Sequence, residues 1–252
     1  MPQTITMTRE QINKLIGTLK IIENSCTDCE LVGGKIRQKT NDRHSIFEID
    51  LVEAFGENEL LISLIKQKIN SLKAFELDDN VTVEDESVII ECTDDSYTFI
   101  DAFTKISFKK PIRKFLDNTF ITDEVFDQMI NYSEDNLIFS TTVNTYISKR
   151  IKNLAEALNN ETIQCDIEGH EASIKIETVN KENCAPVVSG ISLNREMPKR
   201  NFKMVYLPFA LDINSDVEFS AYQVRDEVLL CKFEQKYYGV PVNIYTQVTL
   251  CQ

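Results

Sequence analysis

The sequence predicts an α+β protein of two similar domains, in which antiparallel sheets are combined with a few amphipathic helices. Apolar residues recur at helical spacing in segments that begin at about Thr8 and Val143. Each of these segments is followed by strand after strand of alternating polar and apolar residues. The order of elements therefore repeats along the chain, which indicates a structural duplication without obvious sequence identity.

The composition is that of a folded chain. Its 252 residues suffice for one large domain or for two. Hydrophobic residues make up 42% and charged residues 27%, a balance too apolar for a disordered protein. No stretch rich in glycine, serine or proline marks a long linker. We therefore expect folded structure nearly from end to end.

The sequence shows no signal for export or membrane insertion. Its first residues lack a basic segment followed by an apolar run, and no apolar stretch approaches the ~18–20 residues that span a bilayer. Seven cysteines, an odd number, fit a reducing compartment. We expect a cytoplasmic protein with mostly buried thiols and no membrane partner.

The first half is predicted to open with a short strand and a helix from Arg9 to about Asn24, capped by Thr8. The exposed face of this helix comprises Glu10, Asn13, Lys14, Gly17, Lys20 and Asn24. A second helix is predicted from Glu57 to Lys73. Its exposed stripe comprises Glu59, Ser63, Lys66, Asn70 and Lys73. Further strands complete the first domain, 1–108.

A connector, 109–135, mixes proline, charges and isolated aromatics and is predicted to contain a helix from about Asp123 to Tyr132. The second domain, 136–252, repeats the opening pattern with a helix from Val143 to Leu158. Its predicted buried residues are Val143, Ile147, Ile151, Leu154 and Leu158, and its exposed stripe is Ser148, Lys149, Lys152 and Asn153, flanked by Arg150. Pro208 predicts that any counterpart of the second helix is short or distorted.

The charge distribution matters more than its sum. A net charge of −13 argues against a generic nucleic-acid binder, because phosphate-binding surfaces normally carry a basic excess. An acidic protein can nevertheless bind DNA if its basic residues lie together on one face. The exposed stripes of all three long predicted helices carry lysine.

Two such halves, with long antiparallel meanders and lysine-bearing helices, resemble the DNA sliding clamps. The similarity is to the trimeric clamps of T4-like bacteriophages and to proliferating cell nuclear antigen, in length, acidity and duplication. It covers nearly the whole chain without a single defining motif. The resemblance implies a toroidal ring, most simply a homotrimer, with sheets outside and lumen-lining helices. Such a processivity factor encircles duplex DNA, tethers the replicative DNA polymerase and needs a separate clamp loader.

The resemblance assigns roles to two groups of residues. The DNA-binding lumen would comprise Lys14, Lys20, Lys66, Lys73, Lys149, Arg150 and Lys152, with Lys199, Arg200 and Lys203 as weaker candidates. Alternatively, these cations are ordinary solvated residues of amphipathic helices. A pocket for partner peptides would comprise His44, Ile46, Ile112, Phe115, Leu116, Pro241 and Tyr245. For Phe115 and Leu116, ordinary packing beneath the connector is the alternative.

No catalytic or cofactor-binding constellation is recognisable. Cys26 and Cys29 form a lone CxxC without the second pair that a structural zinc site needs, so we expect neither metal nor cofactor. The two histidines, His44 and His170, are far apart, and no glycine-rich phosphate loop occurs. Paired acids such as Asp94 and Asp95 suit solvated turns. We therefore expect a non-enzymatic protein.

Three other functions remain open at this stage. A monomeric processivity factor could bind DNA on an open basic face, although the net charge of −13 counts against it. A β-rich structural or interaction protein could have no DNA role. An enzyme could use scattered carboxylates with a metal. The composition, rich in asparagine, lysine and isoleucine, suits a bacteriophage with an AT-rich genome.

Overall fold

The computed structural model describes residues 3–40, 45–76, 87–112, 121–158, 162–176, 187–205, 214–237 and 239–251. The described α-helices are α1 Arg9–Ile22, α2 Val52–Phe55, α3 Ile65–Leu72, α4 Asp123–Met129 and α5 Thr145–Ala157. The strands of the first half are β1 Gln3–Thr8, β2 Cys29–Val32, β3 Lys35–Lys39, β4 Ser45–Asp50, β5 Leu60–Ile62, β6 Ser87–Cys92, β7 Ser96–Ile100 and β8 Lys105–Lys109. Those of the second half are β9 Leu137–Val143, β10 Thr162–Ile176, β11 Val188–Val205, β12 Val217–Arg225, β13 Val228–Tyr237 and β14 Val240–Thr249.

The chain divides into two compact units, and the main boundary lies between Thr122 and Asp123. This boundary falls inside the segment 109–135 that the sequence predicts as a connector. Two short segments group with the other unit than their neighbours in sequence. Ser45 and Ile46 group with the second unit, and the β13–β14 turn groups with the first. The predicted helix of the connector is present as α4, although it ends at Met129.

The same sheet order occurs in both units. In the first unit, β1 pairs with β6, which continues through β7 to β8, and all three pairings are antiparallel. In the second unit, β9 pairs with β12, followed by β13 and β14. The opening strand of each unit thus lies beside the first strand of its closing meander. This topology bears out the two similar halves predicted from the sequence.

Both units also begin their first long helix in the same way. Thr8 caps α1 by accepting from the backbone N–H of Gln11, whose side chain accepts in return from the N–H of Thr8. Asn144 caps α5 by accepting from the N–H of Ile147. Both caps have nearly the same extended backbone angles. The predicted cap at Thr8 is confirmed.

The predicted helix from Glu57 to Lys73 is wrong in its first half. Leu60, Leu61 and Ile62 form strand β5, which pairs with β2, and all three are buried. Leu64 adopts a left-handed conformation, φ 52°, which prevents the helix from extending backward beyond α3. Its N–H is satisfied by the Asp28 carboxylate at 2.9 Å. Three successive apolar residues suit a strand buried on both faces better than a helix with one exposed face.

Several finer predictions are also corrected. Gly17 and Ser148, predicted on exposed stripes, are buried. Ile147, Leu154 and Leu158, predicted to be buried, are only half-buried. Strand β10 continues through Gly169 with irregular register there, and β11 extends over 18 residues. The region around Pro208 lies outside the described residues.

A buried ion pair connects three elements of the first unit. Arg9, the first residue of α1, lies with its Nη2 2.6 Å from Asp101 Oδ2, and both side chains are less than a tenth exposed. Arg9 Nη1 also donates to the carbonyl of Phe75 at 2.6 Å. The pair thereby joins the start of α1, the turn after α3 and the β7–β8 hairpin.

Replacing Asp101 with Asn is expected to lower the free energy of unfolding by about 3 kcal/mol at neutral pH, because Arg9 would keep a buried charge without its partner. Burial raises the pKa of Asp101, but hydrogen bonds from the Phe103 N–H, Arg9 and the Thr104 N–H outweigh it, so the pKa lies below its ordinary 3.8. This stabilisation is present above the unfolded-state pKa and is lost as the pH falls through the folded-state pKa. Urea denaturation should therefore show the two proteins converging in acid.

The control for Asp101→Asn is Glu76→Gln, which removes the half-exposed pair between Lys20 and Glu76. It should change stability by less than about 1 kcal/mol, because water already solvates both groups. Equal stability of Asp101→Asn and the unmodified protein at neutral pH would contradict the structural role given to Arg9.

Candidate nucleic-acid interface

Helix α5 has a solvent face lined by an aromatic residue and cations. Its buried face consists of Ser148, Ile151 and Ala155. Since successive residues turn by about 100°, Tyr146 lies almost opposite this buried face, flanked by Lys149 and Arg150. All three are exposed, and Tyr146 is 69% exposed. Within the described part of the chain, Lys149 and Arg150 form no ion pair, so both charges are available to a ligand.

The remaining predicted cation of α5 is placed differently. Lys152 is half-buried, and its Nζ lies 3.9 Å from Glu156 Oε1, one helical turn further on. Such surface pairs contribute little to stability and can open when an anion approaches. Lys152 therefore lies at the border of the exposed face and offers less free charge than Lys149.

Helix α3 in the first unit has a comparable face. Its buried side consists of Ile65, Ile69 and Leu72. Lys66, Asn70 and Lys73 follow each other at spacings of four and three residues and form one exposed stripe. Among the described residues, neither of these lysines has an ionic partner. This short helix therefore presents two unneutralised cations, as the sequence predicts.

The cations of α1 are largely neutralised. Lys14 Nζ lies 2.9 Å from Glu10 Oε1, and the hydrogen bond from Lys14 lowers the pKa of Glu10. Lys20 Nζ lies 3.0 Å from Glu76 Oε1. Both lysines are half-buried, because α1 packs against α3. Of the seven predicted lumen residues, four have no ionic partner among the described residues: Lys66, Lys73, Lys149 and Arg150.

Two residues near these faces were missed by the sequence interpretation. Tyr146 could have been found from its spacing of three and four residues to Lys149 and Arg150. Lys68 is half-buried, with its Nζ 5.4 Å from the ring centre of Phe108, and burial lowers its pKa. No sequence signal distinguishes Lys68 from an exposed lysine, because its environment comes from a distant strand.

The weaker candidates for DNA binding, Lys199, Arg200 and Lys203, lie on strand β11 of the β10–β11 ribbon. A polar groove of about 810 Å³ lies along this ribbon and is lined by Asp166, Lys175, Lys199, Arg200 and Asn201 among others. Lys175 pairs with Asp166, and Lys199 Nζ lies 3.4 Å from Glu168 Oε2. Lys203 is exposed on the same strand. Because acids and bases alternate here, this groove is a poorer phosphate site than the helices.

The residues of the predicted partner pocket are only partly brought together. Ser45 Oγ lies 2.7 Å from Thr246 Oγ1, which places Ile46 and Tyr245 on the opposite face of their neighbouring strands. Both are buried, and the Tyr245 ring packs edge-on against Phe126 of α4, with centroids 5.7 Å apart. The pocket's remaining described residues, Pro241 and Ile112, are exposed. His44, Phe115 and Leu116 lie outside the described residues.

Of the described cysteines, four are buried, Cys92 is half-buried and Cys251 is exposed. Cys26 donates to the Lys39 carbonyl, and burial raises the pKa of the Cys29 thiol. In the described ranges, no three histidine, cysteine, aspartate or glutamate side chains are grouped to hold a metal. None of the described helices combines the length and hydropathy needed to cross a bilayer.

Comparison with known proteins gives similarity in structure alone. No family model and no curated protein sequence matches the chain. The PCNA2–PCNA3 complex from Sulfolobus tokodaii matches with a TM-score of 0.59 and 12% identity, covering 98% of this chain and 99% of that one. Proliferating cell nuclear antigen from Entamoeba histolytica matches with a TM-score of 0.62 and 13% identity, covering 98% of each chain. A. fulgidus PCNA bound to the C-terminal region of FEN-1 matches with a TM-score of 0.63 and 10% identity, covering 100% of each chain.

These comparisons define the class of fold. Three clamp proteins align with this chain over 98% of its length or more, so both units and their order are shared. The chain therefore has the fold of the DNA sliding clamps. This confirms the fold class and the resemblance predicted from the sequence.

The lysine environments can be tested by chemical labelling. Under brief treatment with an amine-acylating reagent, Lys66, Lys73 and Lys149 should react severalfold faster than Lys14 and Lys20, because the latter are half-buried and ion-paired. Peptide mass spectrometry reads out each site. The differences should vanish in urea. Equal native rates at all five lysines would contradict the assignment of free and neutralised cations.

Proposed function

We propose that this protein is the subunit of a DNA sliding clamp, which encircles duplex DNA and tethers a DNA polymerase during processive synthesis. The observation that carries this proposal is the clamp fold along the whole chain, with exposed cations on a helix in each unit. Duplex DNA is the partner for which sparse cations that contact phosphates without reading sequence are suited. The proposed protein is not an enzyme and needs no cofactor of its own.

The acidity of the chain supports a ring over an open DNA-binding face. A protein that binds DNA by affinity needs many phosphate contacts, each of which releases counterions. Four free cations against a net charge of −13 make a weak binding surface. A closed ring instead retains DNA by topology, and weak contacts permit sliding. This argument favours the clamp over a monomeric processivity factor.

The sheet order supports assembly through strand edges. Strand β14 ends the meander of the second unit, and its counterpart in the first unit is β8. Strand β8 has β7 on one side and no other described strand beside it. An unpaired edge is a template for pairing with another chain. We propose that β8 pairs with a strand of a second copy.

Head-to-tail contacts of this kind generate closed rings when the rotation between copies closes. Three copies of a two-unit chain give a six-unit ring, so we propose a homotrimer. Loading would require a separate clamp loader. Partner proteins would insert apolar peptide anchors beside Ile46, Tyr245, Pro241 and Ile112. A bacteriophage origin and the host cytoplasm suit the composition and the cysteine usage.

A β-rich interaction protein with no role on DNA is the second candidate. It is favoured by the ion pairs that neutralise Lys14, Lys20 and Lys152, since solvated lysines of amphipathic helices commonly form such pairs. The two candidates differ in what Lys149 and Arg150 do, because only a clamp needs them for binding DNA.

Replacing Lys149 and Arg150 together with Ala is expected to weaken binding to a fluorescent duplex and to lower the slope of log K against log salt by about 1.8, the value for two lost phosphate contacts. Fluorescence anisotropy at several low salt concentrations measures both. The matched control is Lys236→Ala, an exposed cation on β13 of the same unit. If the control and the double variant have the same slope, the α5 face does not bind DNA.

A further inference from the structure

The β7–β8 hairpin presents an exposed aromatic residue on a rigid support. Phe103 is 81% exposed, more than any other large hydrophobic side chain of the described residues. It lies at the tip of the turn between Ile100 and Lys105, the ends of the two strands. Single exposed apolar residues are common and need no explanation by themselves. In this turn, however, the backbone next to Phe103 is held by a buried side chain.

The tip is fixed by the buried ion pair of the first unit. Asp101 Oδ1 accepts from the N–H groups of Phe103 and Thr104, at 2.8 and 2.6 Å. Its other oxygen, Oδ2, lies 2.6 Å from Arg9. The Asp101 N–H also donates to the Thr104 carbonyl at 2.9 Å. Three of the four turn residues, Asp101, Phe103 and Thr104, are thereby held by hydrogen bonds, and the carboxylate that accepts two of these bonds is itself anchored in the unit.

A rigid, convex aromatic tip is suited to be an anchor that inserts into another surface. Binding pockets for small ligands are concave, and this tip is the opposite. Aromatic anchors supply much of the energy of protein interfaces, and a side chain ordered in advance loses less entropy when it binds. The support of Phe103 by Asp101 and Arg9 therefore provides an ordered anchor for a protein partner.

The position of Phe103 identifies the partner as a second copy of this chain. Phe103 lies two residues before β8, about 7 Å along the chain from its first residue. Among the described strands, none lies beside the second edge of β8, through which copies are proposed to pair. A five-residue strand offers few hydrogen bonds and two half-buried apolar side chains, Ile106 and Phe108. A partner strand laid along β8 would reach the hairpin tip and cover Phe103.

We propose that Phe103 is an apolar anchor of the contact between copies, at the end of the β8 edge. This inference rests on the proposed function, because it uses the ring contact assigned to that edge. Beyond the strand pairing itself, it assigns part of the binding energy of that contact to the side chain of Phe103. It also accounts for the Arg9–Asp101 pair, whose burial positions a turn at the surface rather than filling the interior.

The test compares the assembly of Phe103→Ala with that of the unmodified protein by light scattering over a dilution series. Loss of a buried Phe side chain should raise the dissociation constant of the contact between copies by about 10-fold to 100-fold. The matched control is Ile89→Ala, which shortens an apolar side chain that is 37% exposed on β6, away from the edge. It should leave the dilution midpoint unchanged. Thermal unfolding should confirm that both variants are folded.

A labelling experiment gives an independent readout. In a Cys251→Ser background, Phe103→Cys should react slowly with a maleimide above the dilution midpoint and rapidly below it, because assembly covers the site. Ile89→Cys should react at one rate throughout. Peptide mass spectrometry identifies the labelled position.

The possible results separate the two proposals. If the unmodified protein assembles and Phe103→Ala has the same midpoint, the anchor role is overturned and the clamp proposal survives. If labelling of Phe103→Cys is equally fast in the assembled and dissociated states, the anchor role is likewise overturned. If the unmodified protein is a monomer at all concentrations, the ring is overturned and the anchor with it. A shifted midpoint together with protection of the site supports the anchor.

Discussion

Pairing between the first strand of each unit and a strand far along the chain determines where the functional helices lie. Gln3 to Thr8 pair with Ser87 to Cys92, and Val143 pairs with Val217. Each helix then begins within two residues of its strand, at a cap that fixes its direction. The start and direction of α1 and α5 are therefore set by strands that are held in sheets. The cations on the solvent faces of these helices are positioned by that start and not by the helix alone.

The positive charges on the helices differ in whether an acidic side chain pairs with them. Three lysines on the helices, Lys14, Lys20 and Lys152, are paired with acids. Those on the most exposed faces, Lys149 and Lys66, are free among the described residues. The result is a small number of available positive charges on an acidic protein. Such a surface attracts duplex DNA weakly, which is sufficient when the chain is held on DNA by ring closure and would be insufficient otherwise.

Features that depend on neighbouring residues could be predicted from the sequence, and those that depend on distant ones could not. The cap at Thr8, the connector helix and the duplication follow from local patterns, and the structure confirms them. The left-handed Leu64 was not predictable, because it depends on Asp28 from another element. The burial of Ser148 and the pairing of Lys20 with Glu76 were likewise invisible to periodicity, which locates a face but does not show what covers it. The pairing of Lys14 with Glu10, four residues earlier on the same helix, could have been predicted from spacing.

The candidate site shows the same division. Helical spacing was sufficient to identify Lys149 and Arg150, which lie on the solvent face of α5. It did not identify Phe103, because an aromatic residue between two strand patterns is ordinarily expected to pack inside. Only the hydrogen bonds from the Phe103 and Thr104 N–H groups to Asp101 show that the turn holds it outward. The predicted partner-pocket residues Ile46 and Tyr245 lie on neighbouring strands, but their role in peptide binding stays a prediction.

The central claim, that this chain holds DNA by encircling it, is tested most directly by retention on a circular duplex. Subunits are dissociated by dilution, mixed with a nicked circular plasmid, reassembled by concentration, and passed through a sizing column at high salt, where phosphate contacts are screened. A closed ring should stay with the circle and be released once a restriction enzyme linearises it. Release from the intact circle at the same salt concentration, or equal retention on circular and linear DNA, would contradict it.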